Sequence, residues 1–239
     1  MSTLYVVRHG QARFLTEDYD RLSETGHEQA RLVGEHFVRE QIQPTHVWSG
    51  TLKRQRDTAS GALGVLAAAG EPQPNRATAP GLDEYPADEL MSFLLPVARQ
   101  VDPQVEQDAQ ALQQADDDRV RYRLIHRQLE AVMRLWIAGE HNIEEAGIAS
   151  WARWSGGVRD ALRDAMNVPS GSTVVLFTSG GPIGVVVQTI LAAPDLKAAE
   201  LNWRVFNASI TQVAFSNRRA SLDSFNEIGH LPKTLRTHR

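Results

Sequence analysis

Arg8, His9 and Gly10 stand together directly after the apolar run Leu4 to Val7. An imidazole is neutral near pH 7, so it has a lone pair for attack or proton transfer, and a planar guanidinium beside it suits the oxygens of an anion. A glycine at that point lets a ligand come close to the backbone. An isolated Arg-His-Gly is more often an ordinary surface loop, so the rest of the chain has to decide. A second loop with anion chemistry is Thr178-Ser179-Gly180-Gly181-Pro182, which follows Val174 to Phe177 and leads into a helix. Amides at the start of a helix bind anions. Ser179, Asp223 and His230 also occur in the Ser, Asp, His order of one class of serine hydrolases. That reading fits poorly, because such a nucleophile needs small neighbours and Phe177 lies two positions before Ser179.

These residues need elements that bring strand ends together. Leu4 to Val7 reads as a buried strand. Ser23 is placed to cap a helix running through Glu40, with Ala30, Val33 and Phe37 at near-helical spacing. Val47-Trp48 reads as a second strand, followed by Ser49-Gly50 and a helix from Leu52 to Ala69. Strand, loop and helix repeat at Val174 to Phe177, Thr178 to Pro182 and Ile183 to Leu191. This alternation predicts an α/β fold, a three-layer α/β/α arrangement with a mainly parallel sheet. From Asp88 to Arg153 the strand signal disappears. There Leu124/Ile125, Leu129, Val132/Met133 and Trp136/Ile137 fall on one helical stripe, preceded by Asp116-Asp117-Asp118, which can cap it. Residues 88–153 are therefore read as a helical cap inserted into a single domain spanning 1–239. Residues 209–225 predict a hairpin that turns at Ser216-Asn217-Arg218.

Several short pieces stand in a fixed order: Val6-Val7-Arg8-His9-Gly10-Gln11, then Leu22-Ser23-Glu24-Thr25-Gly26 leading to Gln29-Ala30, then Ser49-Gly50-Thr51-Leu52-Lys53-Arg54 leading to Thr58-Ala59. Leu82-Asp83-Glu84, Gly180-Gly181-Pro182-Ile183, Phe225-Asn226-Glu227 and His230-Leu231 complete the series. In order and separation the chain resembles the histidine phosphatase superfamily, the phosphoglycerate-mutase-like proteins, in the branch of small cofactor-independent phosphatases. The other branch continues Arg-His-Gly with a second Arg and a Pro, where this chain has Gln11-Ala12-Arg13-Phe14. The resemblance implies that His9 attacks phosphorus and becomes a phosphohistidine, and that Arg8 and Arg54 clamp the phosphate oxygens. It also implies that Glu84 gives a proton to the leaving alkoxide, with Asp83 and Glu89 as rivals. Read alone beside Lys53 and Arg56, Arg54 is an exposed helix charge.

One position departs from the family. A second His, expected immediately before the glycine pair, is replaced by Ser179. A hydroxyl can still donate one hydrogen bond, and loop amides such as that of Gly180 can still bind phosphate. A charge is lost. Charge-assisted hydrogen bonds contribute about 1.5–3 kcal/mol against roughly 0.5–1.5 for neutral ones, which corresponds to roughly tenfold in rate. Two readings stay open: a phosphatase acting on a small phosphorylated substrate at reduced rate, and an impaired relative that binds a phosphorylated ligand or a protein partner. His27 and His230 are candidates to fill the place of the missing His. A mutase would need a matched sugar-acid pocket, and no motif specifies one. The inserted segment is expected to cover the site and select the leaving group, with Phe93, Tyr122, Trp136, Trp151 and Trp154 either lining a pocket or forming core.

Composition narrows the field. The 239 residues carry 25 Lys and Arg against 29 Asp and Glu, a net charge of −4 that does not suit a nucleic-acid-binding domain. The absence of Cys excludes disulfides, thiolate metal sites and cysteine nucleophiles. Met1-Ser2-Thr3 runs straight into the first strand without a signal-peptide pattern, and the apolar runs stop far short of the ~18 residues of a membrane span. A cytoplasmic protein with no membrane partner is expected, and no motif specifies an oligomeric state. No His-Glu-x-x-His helix or acidic cluster suggests a metal or another cofactor. Hydrolysis of phosphomonoesters should therefore survive EDTA. Complete loss that a divalent ion restores would contradict the metal-independent reading.

Overall fold

Alternation along the first strand sets the layers. The computed structural model describes residues 1–13 and 20–238. Its first strand, β1 (Ser2–Arg8), sends Leu4 and Val6 to one face of the sheet and Tyr5 and Val7 to the other. Leu4, Val6 and Val7 are fully buried, so both faces are covered. The remaining strands are β2 (His46–Ser49), β3 (Asn75–Thr78), β4 (Thr173–Thr178), β5 (Ile210–Ser216) and β6 (Arg219–Glu227). They form one six-stranded sheet in the order β3-β2-β4-β1-β5-β6. The pairs β1/β4, β4/β2 and β2/β3 are parallel, and β5 and β6 are added antiparallel at the other side of β1.

Helices α1 (Glu24–Arg39) and α2 (Lys53–Ala68) pack against each other and put Val33, Phe37, Ala59, Ala62, Leu63 and Leu66 into a core with Val7, Val47, Val175 and Phe177. The alternate residues Val174 and Leu176 are buried on the opposite side. Helix α7 (Gly180–Ile190) contacts β1 and packs with α8 (Leu196–Asn202). The result is an α/β fold with a mostly parallel sheet flanked by helices, as the alternation of elements predicts. Ser23 caps α1 by accepting the Gly26 N–H at 3.1 Å. The predicted hairpin is β5 and β6, joined by Asn217-Arg218 alone, since Ser216 still belongs to the strand.

Two features differ from the sequence reading. Strand β3 carries Asn-Arg-Ala-Thr, exposed throughout, and is held by backbone pairing to β2 rather than by burial. Helix α7 begins at Gly180, three residues before Ile183. Pro182 is tolerated there because amides of a helix's first turn have no intrahelical partner to lose.

The chain forms two compact units, one from the residues up to Glu84 together with those from Gly157 onward, the other Tyr85–Gly156. In the second unit α3 (Ala87–Val101), α4 (Pro103–Gln114) and α5 (Asp118–Ala138) pack on one another, and α6 (Trp151–Met166) begins there. Asp117 caps α5 by accepting the Val120 N–H at 2.9 Å. Leu124, Val132, Met133 and Trp136 form the buried stripe, but Ile125 is 42% exposed because adjacent helical residues point about 100° apart. Trp136, Trp151 and Trp154 cluster with Tyr85 at ring separations of 5.2–5.8 Å, whereas Phe93 and Tyr122 are exposed. Among the described residues no helix is long and apolar enough to cross a membrane.

His230 lies at the edge of the α1 side of the sheet unit, where its Nε2 donates to the Ala208 carbonyl at 3.0 Å and its ring packs 5.2 Å from His36. Burial first, then the neighbouring His36, lower its pKa to about 4. Below the ordinary imidazole value of about 6.5 the unfolded chain takes up a proton that the folded chain refuses, so stability falls as pH falls. The His230 contribution, at most roughly 3 kcal/mol, should be fully present above pH 6.5 and lost progressively towards pH 4. Urea denaturation of His230→Gln should show a flatter pH dependence across that window, and an unchanged slope would refute the assignment.

Candidate active site

Each parallel strand delivers one part of the site at its carboxyl end. Arg8 pairs in register with Thr178, and Ser49 with Phe177, so the ends of β1, β4 and β2 are level. The His9 N–H donates to the Thr178 carbonyl at 2.8 Å, and the His9 carbonyl accepts from Ala208 N and Asn207 Nδ2 at 3.2 and 3.3 Å. Ligands of open α/β sheets bind at this end of the strands.

The His9 side chain is buried, with 5% exposure, and is held on both nitrogens. Nδ1 lies 2.7 Å from the Gly10 carbonyl, which can only accept, so the proton is assigned to Nδ1. Arg54 Nε donates to Nε2 at 3.2 Å, which requires the lone pair on Nε2. Both partners select the same neutral tautomer. Burial, and then the positive charges of Arg8 and Arg54, hold the pKa well below the usual imidazole value, against the opposing effect of the Gly10 bond. His9 is therefore neutral at neutral pH, with the unprotonated lone pair on Nε2.

Arg54 is in the first turn of α2 and only 7% exposed, so it is not the surface charge that its neighbours Lys53 and Arg56 suggest. Leu52, at the N-cap of α2, has no side chain with which to cap it, and Asp20 supplies that function from outside the helix. Its carboxylate accepts from Lys53 N and from Arg54 Nη1, both at 2.7 Å. One turn further on, Thr58 Oγ1 donates to the Arg54 carbonyl at 2.7 Å and accepts the Gly10 N–H at 3.0 Å. Arg8 donates to the Val205 carbonyl. That stretch is tied to β6 by Asn226, whose Nδ2 donates to Arg204 O at 2.7 Å and whose Oδ1 accepts from Phe206 N at 2.8 Å.

Gly10 is needed for a different reason from the one its place in the motif suggests. The backbone of α1 is what approaches it: a Cβ on Gly10 would lie 2.4 Å from the Gly26 carbonyl oxygen, and one on Gly26 would lie 2.1 Å from that of Gln11. Gln29 secures the same crossing by accepting the Gln11 N–H at 2.7 Å and donating to Leu235 O at 2.7 Å.

Glu84 follows β3, and its carboxylate accepts the Gly181 N–H at 3.1 and 3.4 Å, at the amino end of α7. Of its rivals, Asp83 accepts from Thr51 N at 2.6 Å and holds the β2–α2 loop, while Glu89 is exposed in the first turn of α3. Gly180 starts α7, with Asn202 Oδ1 2.2 Å from where its Cβ would be. Ser179 is fully buried and accepts from Gln55 Nε2 at 2.8 Å. No sequence signal singles out Gln55, because an amide at that position carries no chemistry by itself. His230 is bonded to Ala208 O, and His27 lines a cavity of about 380 Å³ with Arg13, Arg21, Lys53 and Asp57. Neither is bonded to Ser179; the side chain that is bonded to it is that of Gln55. The serine-hydrolase arrangement does not assemble either: Asp223 is exposed, and Ser179 has an ordinary extended backbone (φ −115°, ψ 177°). Among the described residues no three His, Asp or Glu gather where they could hold a metal ion.

Residues 4–87 and 96–228 match the family model of the histidine phosphatase superfamily (branch 1). Among curated proteins none matches the chain by sequence. Solved structures with a similar fold include a phosphoserine phosphatase mutant from Entamoeba histolytica in complex with phosphoserine, with a TM-score of 0.61 at 18% identity over 97% of this chain and 100% of that one. YhfR of Bacillus stearothermophilus gives a TM-score of 0.66 at 14% identity over 97% and 100%. A mycobacterial glucosyl-3-phosphoglycerate phosphatase complexed with VO3 gives 0.61 at 20% identity over 95% and 99%. At these identities the likeness is one of fold.

Thr58 joins the loop after His9 to the helix that carries Arg54, and its removal leaves the buried Gly10 N–H without an acceptor. Thr58→Val should lower unfolding stability by about 1–3 kcal/mol and reduce kcat/KM. Thr58→Ser, which keeps the hydroxyl, should stay near wild type. A Thr58→Val variant that keeps wild-type stability and activity while Thr58→Ser loses them would show that the methyl group, not the hydroxyl, matters.

Proposed function

Because the chain belongs to the histidine phosphatase superfamily, branch 1, we propose that it is a metal-independent phosphatase that cleaves small phosphomonoesters through a phosphohistidine at His9. The observation that carries this reading is the two-sided hold on the imidazole, which leaves a neutral ring with its lone pair on Nε2 beside two guanidinium groups. Nε2 attacks phosphorus, an N–P bond forms, and the bond to the ester oxygen breaks. Arg8 and Arg54 hold the non-bridging oxygens, with the Gly180 amide and the Ser179 hydroxyl as neutral donors. Glu84, protonated, passes its proton to the leaving alkoxide. As a carboxylate it then takes a proton from the water that attacks the phosphohistidine and releases phosphate.

The substrate class is a small phosphate ester, in keeping with the phosphoserine bound by the amoebal structure. Ser179 in place of the second His lowers the rate without removing the nucleophile or the clamp. Rapid quenching with a 32P-labelled phosphomonoester should trap an acid-labile, base-stable phosphoprotein that His9→Ala cannot form. Label that persists in His9→Ala would move the nucleophile elsewhere. Tight phosphate binding without any labelled protein would make the chain a phosphate-binding relative instead.

A further inference from the structure

Gln55, one residue after Arg54 on α2, is fully buried, and the polarity of its amide is fixed by its neighbours. Nε2 stands 2.9 Å from the Leu82 carbonyl and 2.8 Å from Ser179 Oγ. The Leu82 carbonyl can only accept, and it also receives the Thr178 hydroxyl at 2.6 Å. With the amide turned over, two oxygens would face each other. The orientation holds although Gln55 Oε1 is left buried without a hydrogen-bond partner among the described residues. The packing is close here: a Cβ on Gly50 would lie 1.9 Å from Oε1. Ser179 Oγ is therefore an acceptor towards Gln55, and its proton points elsewhere.

We propose that Gln55 and Ser179 together take the place of the family's second imidazole. Gln55 fills the volume beside the hydroxymethyl group. As a positioning residue it also holds Ser179 as an acceptor, so that the hydroxyl proton is presented to a phosphoryl oxygen. This rests on the phosphatase reading given above. Both groups are neutral, so the pair supplies hydrogen bonds without a titrating charge.

Orthovanadate affinity and kcat on p-nitrophenyl phosphate test the pairing in Gln55→Met, Ser179→Ala and the double variant. Methionine keeps the length of the side chain and removes its donor. Each single variant should weaken vanadate binding and kcat by about tenfold. The double variant should be no worse than Ser179→Ala, since Gln55 acts through that hydroxyl. Losses that multiply to about a hundredfold would overturn the positioning role. The filling role is read by thermal melting, independently of activity. Ser179→His alone should lower Tm by several degrees, and adding Gln55→Ala should restore it. A Ser179→His variant that melts like wild type would overturn that part. If wild-type protein binds no vanadate and never labels His9, the phosphatase reading itself fails; vanadate binding with multiplying losses refutes the pairing alone.

Discussion

The site depends on the hold that two groups exert on one imidazole. Gly10 fixes the proton on Nδ1, and Arg54 faces the lone pair on Nε2. A second cation, Arg8, also acts on the ring. Two unit charges 4 Å apart interact by about 4 kcal/mol at the effective dielectric constant of a protein surface, so a protonated His9 between two guanidinium groups is strongly disfavoured. The same arrangement favours an anion. In the proposed reaction a phosphoryl group arriving at Nε2 would bring negative charge to both arginines and meet a lone pair that needs no deprotonation.

Holding that geometry takes bonds between segments distant in sequence. The β1–β4 register brings His9 to Thr178, Thr58 ties Gly10 to α2, Asp20 caps α2 and pairs with Arg54, and Asn226 braces the stretch that receives Arg8. Each neutral bond contributes only about 1 kcal/mol to stability. Their larger effect is on orientation, because Arg8, His9 and Arg54 lie at the ends of a strand and a helix, where unbraced side chains would sample many conformations.

Much of this was legible in the sequence for identifiable reasons. The long helices announce themselves by period and cap, as with Ser23, and the apolar strands β1 and β4 by continuous burial. Arg8, His9, Arg54 and Glu84 stand out only because their motifs occur in order. What escaped is held by polar contacts that leave no pattern. β3 has no apolar residue to bury beyond Ala77, the early start of α7 is hidden by two glycines and a proline, and Asp20 caps a helix whose first residue, Lys53, lies 33 positions later. Gln55 escaped because its importance lies in what it touches. Even the glycine of the Arg-His-Gly motif has a different cause: it admits a neighbouring helix.

The state of His9 is open to direct measurement by nitrogen-15 NMR of the imidazole ring as pH is lowered. The account predicts a neutral ring protonated on Nδ1, with Nε2 unprotonated, that persists to well below pH 6.5, the usual imidazole value. A ring protonated on Nε2, or one that titrates at or above about pH 6.5, would contradict it.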